Sequence, residues 1–237
     1  MKNQLYITLG GKGGVGKTVI AVLLADFLNK LEVPFLAYDC DTENCGKAAA
    51  FSTAYPQAER VNIRSIADCD RLITEAAKHV ITIADLPANA SGDFLEWWEA
   101  VSQPETLESL NLEVVGVGSI TPEPGTFASV AQWASRLQDS MRYVISLNHR
   151  TQQRVALTRE KSFPEYFDSD TGRRFREAFK PYEIEVAGLY DGSMSRLAKS
   201  GMLPSLAAAD RDIPILDRTR IRTWAGQVHN QLRGALV

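Results

Sequence analysis

Short apolar runs alternate with segments of helical periodicity along most of the chain. The apolar runs predict six strands, at residues 5–9, 35–38, 80–84, 112–117, 143–147 and 186–189. The amphipathic segments predict helices at residues 17–31, 67–78, 92–101, 124–137, 171–180, 193–199 and 219–236. Several strands lack polar alternation, which is typical of strands covered by helices on both faces. The pattern therefore predicts an α/β fold with a doubly wound, mostly parallel sheet.

No repeat, low-complexity tract or linker divides the chain, and its length of 237 residues suits one α/β domain. We therefore predict a single domain over residues 1–237. The stretch 151–170 is the least regular part, because it is polar and rich in charge. We interpret this stretch as a surface excursion and not as a second domain.

The composition limits the classes of partner and the compartment. The formal net charge of −3 gives no general attraction to nucleic acid, so such a partner would need a local basic patch. The longest apolar stretch, residues 19–25, is too short to span a membrane. Three cysteines form neither an even set nor a CxxC pair, which favours a reducing, cytoplasmic location. Cys40 and Cys45 are candidate metal ligands, but with no His or further Cys nearby we favour an inert role.

The clearest chemical motif is the sequence GGKGGVGKT at residues 10–18, which follows a predicted strand and opens a predicted helix. Its glycines let backbone N–H groups converge on phosphate oxygens, and the helix start adds the positive end of its dipole. Lys17 is expected to reach the β- and γ-phosphates, and the Thr18 hydroxyl to bind Mg²⁺. The predicted nucleotide-binding residues of this loop are Gly11, Gly13, Gly14, Val15, Gly16, Lys17 and Thr18.

A second lysine, Lys12, lies inside this motif and is followed by Gly13 and Gly14. An ordinary phosphate loop does not require a lysine at this place. With it, the sequence resembles the ParA/MinD family of deviant Walker A ATPases. The resemblance implies a P-loop NTPase fold, ATP and Mg²⁺ as ligands, and a homodimer that forms face to face on ATP binding. It also implies that Lys12 crosses the dimer interface and contacts the nucleotide of the facing subunit.

Two carboxylates follow the second predicted strand, in the sequence Asp39-Cys40-Asp41. Side chains at i and i+2 leave a strand on the same side, here toward the phosphates. Asp41 lies 24 positions after Lys17, which matches the spacing in the family. The resemblance implies that Asp41 orients the attacking water and that Asp39 supports the Mg²⁺ shell; the alternative is a solvated pair of loop residues. The family often continues with Pro-Gln, and the sequence Thr42-Glu43-Asn44 departs from that pattern.

The strand predicted at residues 80–84 is followed by Asp85 and resembles the Walker B strand of the family. The resemblance implies that Asp85 binds Mg²⁺ through water, because Mg²⁺ keeps much of its hydration shell. The alternative is that Asp85 caps a helix. The next residues, Leu86-Pro87-Ala88-Asn89, resemble the loop that senses the γ-phosphate. The resemblance thus implies the catalytic residues Lys12, Lys17 and Asp41 and the metal-binding residues Thr18, Asp39 and Asp85.

Two later residues are candidates for contact with the base. Asn148 ends the strand predicted at residues 143–147, where doubly wound folds bind their ligands, and the resemblance implies that it binds adenine. The GTPase pattern Asn-Lys-x-Asp is absent, because His149 and Arg150 follow, so ATP is favoured over GTP. Leu189-Tyr190 replaces the Ile-Pro that is usual in the family, and Tyr190 either stacks on adenine or belongs to the core.

Two surfaces bear on what the ATP-bound form would contact. Basic residues cluster on two helices, as Arg173, Arg174, Arg176 and Lys180 and as Arg218, Arg220 and Arg222. Either cluster can bind DNA phosphates without sequence preference, although for each alone we favour a solvated helix face. An apolar stripe on the last helix comprises Ile221, Trp224, Val228 and Leu232. We interpret this stripe as core in preference to a membrane anchor, because the polar face is not rich in Lys.

We therefore predict a slow ATPase that acts as a dimeric switch in plasmid or chromosome partition or in conjugative DNA mobilisation. A stimulating partner protein and non-specific DNA are its predicted partners, and membrane contact is disfavoured. The alternatives are a MinD-like positioning protein at the membrane surface and a ligase similar to dethiobiotin synthetase, which would seldom need Lys12. A nitrogenase-like reductase is strongly disfavoured, because no cysteine follows Asp85 to hold a shared iron–sulfur cluster.

Overall fold

The computed structural model describes residues 2–42, 47, 50–88, 90, 92–150 and 158–235. Over this part of the chain a sheet of seven parallel strands forms, in the order β3-β2-β4-β1-β5-β6-β7. The strands are β1 (Asn3–Leu9), β2 (Leu36–Asp39), β3 (Glu59–Arg60), β4 (Ile81–Asp85), β5 (Leu112–Ile120), β6 (Arg142–Asn148) and β7 (Tyr182–Val186). The predicted doubly wound parallel sheet is confirmed.

Helices connect successive strands and cover both faces of the sheet. In chain order they are α1 (Lys17–Lys30), α2 (Phe51–Ala54), α3 (Ile66–Ala76), α4 (Asp93–Val101), α5 (Pro104–Ser109), α6 (Thr126–Leu137), α7 (Arg159–Ser162), α8 (Pro164–Phe167), α9 (Asp170–Phe179), α10 (Asp191–Ser200), α11 (Pro204–Ala207) and α12 (Ile215–Ala235). Alternate side chains of β1 enter two different cores, because successive side chains of a strand point to opposite faces. Leu5 and Ile7 join the core that contains α3, α4 and α6, whereas Tyr6 joins the core under α1 and α12.

The prediction for the last strand was wrong by four residues at its start. The structure places β7 at Tyr182–Val186, whereas the sequence pattern pointed to residues 186–189. β7 lies at the edge of the sheet and alternates, with Ile184 and Val186 buried and Glu185 exposed. A search for continuous apolar runs does not detect a strand in which apolar and polar residues alternate. The other five predicted strands overlap with β1, β2, β4, β5 and β6, and the two-residue strand β3 was not predicted.

The stretch 151–170 was predicted to be a surface excursion, and most side chains of its described part, residues 158–170, are exposed or half-buried, with two exceptions. Phe163 and Tyr166 are fully buried in the core beside α6. The ring of Tyr166 meets those of Phe127 and Phe175 edge-on. Aromatic burial therefore fixes α8 against α6 and α9, despite the many charges in the sequence. Residues 151–157 lie outside the described residues.

The interpretation of the apolar stripe on the last helix as core is confirmed. Ile221, Trp224, Val228 and Leu232 are all buried against α1 and the sheet. Trp224 also donates a hydrogen bond of 2.8 Å from Nε1 to the carbonyl of Ala187, just after β7. Within the described part of the chain, no helix has both the length and the apolar character that a bilayer crossing needs.

Candidate nucleotide-binding site

The glycine-rich loop joins β1 to α1 at the carboxyl edge of the central strands. Gly16 caps α1 with φ 101° and ψ 23°, a left-handed conformation that L-residues with side chains rarely adopt. A Cβ atom at this position would also lie 2.0 Å from Nδ2 of Asn148. Asn148 donates a hydrogen bond of 3.0 Å to the carbonyl of Val15, so the end of β6 holds the loop in place. Only glycine satisfies both conditions at position 16.

A cavity of about 330 Å³ opens between this loop and the ends of β2 and β4. Its size lies at the lower end of the range for small-molecule sites. The lining includes Gly13, Gly14, Gly16, Lys17, Thr18, Asp39, Asp41, Lys47, Phe51, Asp85 and Ala88. The structure therefore brings together the predicted phosphate loop and all three predicted aspartates. Gly11, Lys12, Val15, Asn148 and Tyr190 do not contribute to this lining.

Lys17 is a buried cation in this cavity, with 6% of its surface exposed. Its Nζ atom donates a hydrogen bond of 3.2 Å to the carbonyl of Lys12. Burial lowers the pKa of Lys17, whereas the carboxylates of Asp85 and Asp41 oppose that shift. A phosphate anion beside Nζ would favour the charged form further, because nearby opposite charge stabilises it.

Asp85 ends β4 and is buried beneath the loop. Its Oδ2 atom accepts a hydrogen bond of 2.7 Å from the Thr18 hydroxyl, and its Oδ1 atom accepts one of 2.9 Å from the Thr8 hydroxyl. Burial raises the pKa of Asp85 to about 6, although both hydroxyl bonds act in the opposite direction. The neighbouring carboxylate of Asp39 adds to the increase. Asp85 does not act as a helix cap.

Asp39 and Asp41 both line the cavity but have different surroundings. Asp39 is fully buried and accepts hydrogen bonds from the backbone N–H groups of Ser52, at 2.9 Å, and of Asp41, at 3.2 Å. The Asp41 side chain is partly exposed on the same side of the strand end. The alternative of a solvated loop pair is therefore wrong for Asp39, because the start of α2 covers it.

The oxygen atoms of Thr18, Asp39 and Asp85 suit a hard cation such as Mg²⁺. Among the described residues, no group of three or more His, Cys, Asp or Glu side chains is arranged to hold a metal ion by itself. Such sparse protein ligation fits Mg²⁺, which usually takes one or two carboxylates and completes its shell with water and phosphate oxygens. Cys40 is buried, and its proposed companion Cys45 lies outside the described residues.

The two candidates for base contact lie outside the phosphate cavity. Asn148 is 6% exposed, and its amide is engaged with the loop through Val15 while its Oδ1 atom accepts a bond from the Arg150 N–H. Tyr190 is 51% exposed, and its ring centre lies 5.0 Å from the guanidinium carbon of Arg220. The interpretation of Tyr190 as a core residue is therefore wrong. Adenine contact by either residue stays a prediction.

Lys12 lies on the outer side of the loop with its side chain partly exposed. Its Nζ atom donates a hydrogen bond of 2.7 Å to the carbonyl of Pro124 and lies 3.9 Å from the carboxylate of Glu123. The same carboxylate pairs with Arg150 at 3.0 Å. The structure thus places this lysine outside the cavity that contains Lys17.

Sequence reasoning missed several residues that shape the site. Ser129 accepts a hydrogen bond of 2.5 Å from the Gly11 N–H, and Lys47 and Phe51 line the cavity. Thr8 contacts Asp85 directly. A signal for Thr8 was present, because it is a polar residue within an otherwise apolar run that leads into the phosphate loop. Ser129 and Lys47 carry no such local signal.

The family is decided by a sequence comparison that covers most of the chain. Residues 6–203 match the model of the CobQ/CobB/MinD/ParA nucleotide binding domain. The chain belongs to this family. It is therefore a nucleotide-binding domain of the ParA/MinD type, as the second lysine and the aspartates had indicated. No curated protein matches the chain.

Several solved structures are similar to this chain at low sequence identity. The MinD cell division protein of Aquifex aeolicus is 14% identical, with a TM-score of 0.57 over 98% of this chain and 97% of that protein. The matching chain of a MinC:MinD complex from the same organism is 15% identical, with a TM-score of 0.56 over 98% of this chain and 96% of that chain. A putative plasmid partition protein of Borrelia burgdorferi B31, bound to AMPPNP, is 12% identical, with a TM-score of 0.45 over 99% and 100%.

Proposed function

We propose that this ParA/MinD-type domain hydrolyses ATP to ADP and phosphate and that ATP binding joins two copies of the chain. The observation that carries the proposal is the convergence of Lys17, Thr18, Asp41 and Asp85 on one cavity. P-loop enzymes accelerate phosphoryl transfer mainly by positioning and charge stabilisation, and these side chains supply both.

Each residue of the cavity has a distinct role in this proposal. Lys17 neutralises the β- and γ-phosphates, and the loop N–H groups from Gly13 to Gly16 bind phosphate oxygens. Thr18, Asp39 and Asp85 hold Mg²⁺, directly or through water, and bound Mg²⁺ would supply neutralisation of the phosphate charge. Asp41 orients the attacking water. Asn148 and Tyr190 contact adenine.

Lys12 has little to do within its own subunit, because Lys17 already serves the phosphates there. Its ammonium group contacts the loop after β5 through Pro124, near the carboxylate of Glu123, and stays partly exposed. A surface ion pair of this kind contributes little stability. Lys12 can therefore leave Glu123 and pair more favourably with the triphosphate of a facing subunit. We infer that Lys12 makes this exchange when two ATP-bound copies meet.

The cellular role that we infer is plasmid or chromosome partition or conjugative DNA mobilisation, with a partner protein that stimulates hydrolysis. The MinC:MinD complex shows that a protein of the same fold assembles with another protein. Both basic clusters are partly engaged internally. On α9, Arg176 donates to the carbonyls of Tyr166 and Phe167. On α12, Arg222 donates to the carbonyl of Ala208, and Arg220 pairs with Asp217. The membrane alternative loses its main support, because the apolar stripe of α12 is buried.

The size of the particle in solution tests the dimer proposal. Light scattering would compare wild type and Lys12→Ala in ADP and in AMPPNP. We expect wild type to dimerise only in AMPPNP and Lys12→Ala to bind AMPPNP but stay monomeric. Lys30→Ala, which removes an exposed lysine at the end of α1, is the matched control and should dimerise. A Lys12→Ala variant that dimerises as wild type does would show that Lys12 is an ordinary loop residue.

A further inference from the structure

Thr8 places a hydroxyl group near the carboxyl end of the buried central strand β1. The residue is 1% exposed and lies two positions before the phosphate loop begins. Its Oγ1 atom donates a hydrogen bond of 2.9 Å to Oδ1 of Asp85. The same atom accepts a hydrogen bond of 2.8 Å from the backbone N–H of Leu86. A single hydroxyl therefore joins the carboxylate that ends β4 to the first residue of the loop that follows.

The direction of both hydrogen bonds is fixed by the chemistry of the groups. A backbone N–H can only donate, and an ionised carboxylate can only accept. The one proton of the Thr8 hydroxyl must therefore point to Asp85 when Asp85 is ionised. Because Thr18 donates to the other carboxylate oxygen, hydroxyl groups hold Asp85 at both of its oxygen atoms. Chains of this kind polarise one another and strengthen each bond.

Register explains why Thr8 and not another residue makes this contact. In the parallel pairing of β1 with β4, Ile7 lies opposite Ala84, so Thr8 and Asp85 are the next residues along the two strands. Both side chains leave the same face of the sheet. The contact joins residues 77 positions apart, which this strand pairing brings together.

We propose that Thr8 is a positioning residue for Mg²⁺-dependent nucleotide binding, because it fixes the orientation of the Asp85 carboxylate toward Thr18. This inference rests on the proposed function, in which Asp85 and Thr18 serve the metal. Partners of metal-binding carboxylates set the orientation of those carboxylates, and their loss typically weakens metal affinity about 10- to 100-fold. Without the Thr8 hydroxyl, Oδ1 of Asp85 and the Leu86 N–H would both lose their partner in a buried place.

The neighbouring strand supplies a matched control. Thr82 on β4 is fully buried, as Thr8 is, but its hydroxyl has no hydrogen-bond partner among the described residues. Replacement of either threonine by valine keeps the side-chain shape and removes one buried hydroxyl. Thr82→Val therefore tests the loss of a buried hydroxyl that contacts neither Asp85 nor Leu86.

The experiment measures the dissociation constant of ATP by calorimetry, with excess Mg²⁺ and with EDTA, and takes the ratio as the Mg²⁺ enhancement. We expect Thr8→Val to lower this enhancement about tenfold or more, with little change in the affinity measured in EDTA. Thr8→Ser keeps the hydroxyl and should restore most of the enhancement. Thr82→Val should behave as wild type does. In an Asp85→Asn background, Thr8→Val should cause no further loss, because Thr8 acts through Asp85.

The outcomes separate this inference from the function on which it rests. A wild type that does not bind ATP, or that shows no Mg²⁺ enhancement, overturns both. A normal wild type with unchanged enhancement in Thr8→Val overturns the role of Thr8 alone. Equal losses in Thr8→Val and Thr82→Val would show a general effect of strand packing and would also overturn it. Thr8→Ala gives the same comparison if Thr8→Val does not fold.

Discussion

Replacement of Asp85 by asparagine should stabilise the protein in the absence of nucleotide and metal. Asp85 is fully buried, and burial raises its pKa from the ordinary value of 3.8 to about 6. Each unit of pKa corresponds to about 1.36 kcal/mol. The increase of roughly two pKa units therefore means that ionised Asp85 destabilises the folded state by about 3 kcal/mol near neutral pH. Asparagine has no charge to bury. Its side-chain carbonyl can still accept from one threonine hydroxyl, and its NH₂ group can donate to the other.

The direction of the pKa shift determines how the stability of the protein depends on pH. The pKa of Asp85 is higher in the folded than in the unfolded state, so the folded state binds the proton more tightly. The stabilisation that comes from proton binding to Asp85 is complete below about pH 4 and is lost as the pH rises through about 6. The free energy of unfolding of Asp85→Asn should therefore exceed that of wild type by about 1–3 kcal/mol at pH 7.5, after an allowance for imperfect hydrogen bonds. The difference should shrink toward pH 4.5.

Thermal or urea unfolding in EDTA at pH 4.5 and pH 7.5 measures this difference. For a chain of this size, each kcal/mol moves the midpoint temperature by about 2–4 °C. Asp168→Asn, at an exposed acid on the surface, is the control and should change neither stability nor its pH dependence. The same Asp85→Asn protein should lose the Mg²⁺ enhancement of ATP binding. An Asp85→Asn protein that is less stable than wild type at pH 7.5, or a gain that does not depend on pH, would refute the reasoning.

Three further predictions concern the proposed activity. Lys17→Ala should abolish ATP binding in a calorimetric titration, because the phosphates lose their buried cation, and unchanged affinity would remove Lys17 from the site. Asp41→Ala should bind ATP and dimerise but turn over far more slowly, and normal turnover would exclude its role in orienting water. Charge reversal of Arg218, Arg220 and Arg222 together should weaken ATP-dependent DNA binding, and wild-type log affinity should fall linearly with log salt. If wild type does not bind DNA at low salt with ATP, the prediction that DNA is a partner is wrong.

The sequence predicted those parts of the molecule in which local chemistry decides the structure. Interior strands such as β1 and β5 are rich in apolar residues, and the phosphate loop needs glycine at defined positions. The resemblance to the ParA/MinD family predicted that Asp39 and Asp85 serve the site, and each follows an apolar strand at the edge of the sheet where parallel strands end. The structure places both in one cavity with Lys17.

The rest depended on contacts between distant parts of the chain. Thr8 meets Asp85, and Asn148 meets Val15, only because the strand order brings β4 and β6 to the ends of the phosphate loop. The edge strand β7 was misplaced because one of its faces is polar. The burial of Phe163 and Tyr166 within the segment 158–170 was not predicted, because charged and polar residues dominate the composition of that segment.

The buried charges of the site are arranged for ligands and not for stability. Burial lowers the pKa of Lys17 and raises that of Asp85, so both shifts favour the neutral forms of these side chains. A phosphate anion beside Lys17 and a divalent cation beside Asp85 would each reverse the local shift. Because both groups lie in one cavity and interact electrostatically, binding of one ligand changes the charge state that the other meets. Nucleotide and Mg²⁺ should therefore each raise the affinity for the other by the same factor, since linkage between two sites is reciprocal.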